Sequence, residues 1–133
     1  MNRERIEREL SELLAGGQLA LLMTDGRPAV LYRDVPTGGA QFGLPISSDV
    51  VVPIPDGYPA NPIDLAGLPL GSPLLARVKG GANSQGVIVA NGSQFQLASY
   101  HPHNNGGGPP WDQTRHGFHT YFDHILAWLH RLN

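Results

Sequence analysis

"GVIVANGSQFQLASY", residues 86–100, decides the architecture of this chain. Asn91-Gly92 stands between two runs of strand-forming residues. The pair takes positive φ at both central positions of a type I′ turn, whose twist matches that of the strands it joins. The stretch therefore predicts a β-hairpin. Its alternation puts Phe95, Leu97 and Ser99 on one face and Gln94, Gln96 and Ala98 on the other.

Upstream, "QLALLMT" (18–24) and "RPAVLYRDV" (27–35) flank Asp25-Gly26 and read as a second hairpin. "GAQFGLPISSDVVVPI" (39–54) reads as one long bent strand or two short ones. Pro45 lacks the N–H a central ladder needs and marks a bend or an edge. Before these, Ile6, Leu10, Leu13 and Leu14 make one apolar stripe at helical spacing, with Arg3, Glu4, Glu7, Arg8 and Glu12 on the other side. A helix is predicted over 3–15, stopped by Gly16-Gly17.

Between the hairpins, six prolines (53, 55, 59, 62, 69 and 73) exclude a regular ladder over 53–73. Ile54, Tyr58, Ile63, Leu65, Leu68 and Leu70 are too apolar for a solvated linker. The segment is expected to lie extended over an edge of the core. Downstream, Phe118, Tyr121, Phe122, Ile125, Leu129 and Leu132 predict a helix over 113–132, flanked by Trp128, with Asp112 as its N-cap. Strands in succession bracketed by helices define an α+β class, and the length fits one domain over 1–133.

Composition narrows the function. Nine Lys and Arg against eleven Asp and Glu leave a net charge of −2, which gives no basic face in bulk and argues against nucleic acid as the main partner. No stretch has the run of apolar residues that a membrane helix requires, and the charged start "MNRERIEREL" is no secretory leader, which points to the cytoplasm. The chain has no cysteine, so it offers neither a disulfide nor a thiolate for metal binding or thioester chemistry.

The chemistry-bearing residues crowd into "SYHPHNNGGGPPWD" (99–112). Ser99 is the hydroxyl nearest the histidines, and a serine attacks only when a positioned base takes its proton. His101 or His103 can be that base, and the amides of "NGGG" (105–108) can serve as oxyanion donors. Trp111 is a natural anchor for the loop. The plainer alternative is that Ser99 caps a strand end and "GGGPP" is a surface loop. All six histidines lie in the last third of the chain. His101 and His103 with His116 or His119 could instead ligate zinc, although histidines on a helix face are more often solvated.

The order of elements resembles the ubiquitin-conjugating-enzyme fold: N-terminal helix, four-stranded antiparallel meander, proline-rich loop, active-site segment and C-terminal helix. "PDGYPANP" (55–62) carries the likeness, with Pro55, Tyr58, Pro59 and Pro62 matching a Pro-x-x-Tyr-Pro-x-x-Pro stretch of those enzymes. "YHPHN" (100–104) is similar to their His-Pro-Asn element. The chain looks most like the bacterial family E of prokaryotic ubiquitin-conjugating-like proteins, with Gln96, Ser99, His101, Trp111 and His116 at the matching positions. The resemblance implies partners, namely a ubiquitin-like protein and an adenylating activating enzyme, with a metal-dependent deconjugating peptidase in the same pathway. No cofactor and no bound metal are expected for this chain. Where the eukaryotic enzymes carry their cysteine, this chain has "NNGGGPPW". The implied role is then a cysteine-independent carrier using Ser99 with His101, His103 and His116, or helping a nucleophile on the activating enzyme. The alternatives are a non-catalytic adaptor for a ubiquitin-like protein and a small histidine-based metal enzyme.

Overall fold

A computed structural model describes residues 2–78, 86–98 and 110–132. The first helix, α1 (Arg3–Ala15), is capped by the Asn2 side chain, which accepts from the Arg5 amide at 3.2 Å. Ile6, Leu10 and Leu13 are buried, whereas Leu14 is exposed. Strands follow at Ala20–Met23 (β1), Ala29–Pro36 (β2), Ser47–Pro53 (β3), Ala66–Pro69 (β4), Val87–Ala90 (β5) and Ser93–Ala98 (β6), and the last helix, α2, is Phe118–Arg131. The strands form one antiparallel sheet in the order β1-β2-β3-β4-β6-β5.

The Asn-Gly hairpin forms as its sequence demands. Ala90 pairs with Ser93, and Asn91 and Gly92 take φ of 52° and 74°. The β1–β2 hairpin also forms, joined by a five-residue loop from Thr24 to Pro28 between the paired Met23 and Ala29.

Four expectations change. Among the described residues the sheet has six strands rather than four, because β4 and the β5–β6 hairpin join the three strands before them. The proline-rich segment does contribute a ladder: Ala66-Gly67-Leu68 is a proline-free window in which Gly67 pairs with both Val51 and Leu97. No strand covers 39–46. A 3₁₀ turn at Ala40–Phe42 stands there, and the Thr37 hydroxyl, which donates to the Pro45 carbonyl and accepts from the Gly39 amide, folds the loop back. Finally, α2 starts at Phe118, not at 113, so Asp112 is not its cap.

Both faces of the sheet are covered. On one face Val30, Tyr32, Val50, Val52, Ala66, Leu68 and Ala98 meet α1 and α2 through Ile6, Leu10, Phe118, Tyr121, Ile125 and Leu129. The alternate residues Leu31, Val51, Phe95 and Leu97 point to the other face and form a second, smaller core with Ala29 and Ala90. Because β1 and β5 are opposite edges of the sheet, that face closes only because the sheet curls. The Asp25 carboxylate, between β1 and β2, accepts from the backbone amides of Asn91 (3.1 Å) and Gly92 (2.9 Å) at the β5–β6 turn. At Gly26 a Cβ would come within 2.6 Å of the Val89 carbonyl oxygen, so only glycine allows this approach. The Gly92 amide, more than any other group, holds the Asp25 carboxyl below its ordinary range. Among the described residues no helix is long and apolar enough to cross a membrane.

Candidate functional site

A buried carboxylate organises the region before α2. Glu9 lies between Ile6 and Leu13 on the apolar stripe of α1, and its side chain is only 5% exposed. Burying a charge is costly unless it is paired and hydrogen-bonded, and Glu9 is both. One carboxylate oxygen accepts from the Tyr58 hydroxyl at 2.6 Å and from the Phe118 amide at 3.1 Å. The other accepts from Arg5 Nε at 2.8 Å. Glu9 thus caps the positive end of α2 from another helix. Gly117 makes the room: a Cβ there would lie 2.4 Å from a carboxylate oxygen of Glu9. Its own amide donates to the Thr120 hydroxyl at 3.0 Å.

From this centre two branches run to the sequence motifs. Tyr58, in "PDGYPANP", is buried, and the Tyr58–Pro59 peptide is cis. Burial, then its hydrogen bond to Glu9, pushes the Tyr58 hydroxyl well above its ordinary pKa. Arg5 lies over the Tyr58 ring, 5.6 Å from its centroid. The same Arg5 donates from Nη2 to the His116 carbonyl oxygen at 2.8 Å. Trp111 bridges the two branches. Its indole N–H donates to the Pro59 carbonyl at 2.8 Å, and its ring lies 6.2 Å from Tyr58 and 5.6 Å from His116.

His116 therefore sits at the end of a short, well-held loop, not on the last helix. Its Nδ1 accepts a hydrogen bond from the Asp112 amide at 3.0 Å. A backbone amide cannot give up its proton, so this bond requires a lone pair on Nδ1. The neutral ring then carries its proton on Nε2. Asp112 shapes the loop by accepting from the Thr114 hydroxyl (2.7 Å) and amide (3.0 Å), which hold its carboxyl below the ordinary range, the hydroxyl most strongly. Residues 110–116 line an open cleft of about 820 Å³.

Ser99, His101 and His103, and the glycines at 106–108, lie outside the described residues. Of the positions singled out by sequence, Trp111 and His116 come together. Gln96 is structural. Its amide donates to the carbonyls of Gly86 (2.9 Å) and Leu97 (3.1 Å), clamping the start of β5 to β6. His119, on α2, stands 3.8 Å from the Glu12 carboxylate. Because His116 precedes the helix, it does not share a helix face with His119. Among the described residues no three His, Asp or Glu side chains are grouped to hold a metal ion.

Sequence reading does not single out Arg5 and Glu9. A signal is present nonetheless: Glu9 occupies position i+3 from Ile6 and i−4 from Leu13, inside the apolar stripe. A carboxylate there must find donors from another part of the chain. No family model, curated protein or solved structure gives a significant match to this chain.

Proposed function

We propose that this protein is the carrier of a ubiquitin-like conjugation pathway, with a fold of ubiquitin-conjugating type and chemistry that uses no cysteine. One observation carries the reading. The stretch that carries the resemblance, 55–62, meets two of the other matching positions, Trp111 and His116: the Trp111 indole N–H donates to the Pro59 carbonyl at 2.8 Å, and its ring lies 5.6 Å from His116. An adenylating enzyme would supply the ubiquitin-like protein as an acyl adenylate. Ser99 would accept the acyl group as an oxyester, with a histidine taking its proton, or the chain would position a nucleophile of the activating enzyme.

The test uses the whole chain with its ubiquitin-like protein, adenylating enzyme and ATP, resolved on a denaturing gel. A hydroxylamine-sensitive adduct that disappears in Ser99→Ala is expected. A complex without an adduct would instead favour an adaptor. A specific observation supports that second reading: Phe42 and Ile46, in the loop between β2 and β3, are 55% and 70% exposed. Large apolar side chains so displayed suit a protein-binding surface.

A further inference from the structure

We propose that Asn91-Gly92 is a deamidation site and that the Asp25 carboxylate sets its rate. Both residues are exposed at the β5–β6 turn, where water reaches them. In an Asn-Gly pair the glycine nitrogen attacks the side-chain carbonyl carbon of the asparagine. A new C–N bond closes a cyclic imide, the amide proton goes to solvent, and the side-chain nitrogen leaves as ammonia. Water then opens the ring at either carbonyl, giving aspartate or its isomer linked through the side chain. The chemistry needs no co-reactant except water and is independent of the carrier reading.

The hairpin tips hold back the first step. The nitrogen that must attack, that of Gly92, donates its proton to Asp25 Oδ2 at 2.9 Å, and the Asn91 amide donates to Oδ1 at 3.1 Å. A carboxylate so close opposes loss of the proton, because the nitrogen would become negative beside it. The turn is also fixed, by the Ala90–Ser93 pairing and by φ of 52° and 74° at Asn91 and Gly92. A nitrogen held this way is kept from the approach the reaction needs. Release of Asp25 therefore starts the reaction. The products work in the same direction. A carboxylate at position 91 stands beside Asp25 and repels it, and the isomer adds a backbone atom to a two-residue turn whose register has no room for it. Either product keeps the tips apart and uncovers the β5 edge at Val89, whose carbonyl Gly26 approaches so closely that a Cβ there would lie 2.6 Å away.

Peptide mass spectrometry on the whole chain, incubated at mildly alkaline pH, follows Asn91 by its gain in mass. Asp25→Ala is expected to speed conversion by about tenfold, the effect of losing a hydrogen bond to a charged acceptor. Tyr58→Phe weakens the fold from the other face of the sheet and is expected to leave the rate unchanged. Equal rates in wild type and Asp25→Ala, or equal acceleration by both variants, would overturn the gate. Asn91→Asp tests the product. Amide exchange at Gly92 is expected to speed up about as much as in Asp25→Ala, and no further when the two changes are combined. Protection equal to that of the wild type would overturn the role of the new charge.

Discussion

The two faces of the sheet are built on different principles. The face under the helices holds the larger core, yet at its edge lie an arginine, a carboxylate and two tyrosine hydroxyls, all hydrogen-bonded. The opposite face is an apolar cluster of Leu31, Val51, Phe95 and Leu97, closed by a surface contact between two hairpin tips. Apolar packing stabilises but tolerates small shifts of its members. A satisfied polar network fixes distances and directions, and it is costly when one partner is lost. The site residues hang from the polar face, and this is why His116 has a defined carbonyl partner and ring orientation.

Breaking the polar face should have the largest effect. Glu9→Ala leaves Arg5, the Tyr58 hydroxyl and the Phe118 amide without their common acceptor, and a loss of about 3–5 kcal/mol is expected in urea unfolding. On the other face Leu97→Ala should cost about 2–5 kcal/mol through the cavity it leaves. The two variants separate in another way. Glu9→Ala should shift the ring resonances of His116, and Leu97→Ala should leave them in place.

Smaller changes sharpen the contrast. Tyr58→Phe removes one hydrogen bond to a buried carboxylate and should cost about 1.5–3 kcal/mol near neutral pH. Its pH dependence is also informative. Burial raises the Tyr58 and Tyr32 hydroxyls above their ordinary value of 10.0. Above that value the unfolded chain releases protons that the folded chain keeps, so stability should fall as pH rises beyond about 10. Tyr58→Phe should make this alkaline fall shallower.

The smallest effect belongs to the hairpin tips. Asp25 is held below the ordinary carboxylate value of 3.8. Its contribution is fully present above that value and is lost as pH falls through the lower folded value. Asp25→Ala should remove this acid dependence and speed amide exchange at Asn91 and Gly92, leaving the helix-side core unchanged.

Local rules make much of the fold legible. Apolar periodicity locates α1 and most of α2, and Asn91-Gly92 locates the β5–β6 turn, because those signals act over a few residues. β4 escapes them because the proline content of 53–73 as a whole argues against a ladder, whereas a ladder needs only the few proline-free residues at Ala66–Leu68. The start of α2 is misplaced by its sequence because its cap is a carboxylate from α1, more than a hundred residues away along the chain. Trp111 as an anchor is readable from its type. Its partner Pro59, and the orientation of His116, are not, since both depend on two distant segments meeting.

The most direct test of the link between the polar face and the site compares His116 ring signals in three proteins by 1H–15N spectroscopy: wild type, Arg5→Met and Asp25→Ala. Arg5→Met removes the donor to the His116 carbonyl, while Asp25→Ala releases the hairpin tips beyond the other core. The structure predicts that Arg5→Met moves or broadens the His116 signals and that Asp25→Ala leaves them where they are. Equal shifts in both variants, or none in Arg5→Met, would contradict the claim that the helix-side network positions His116.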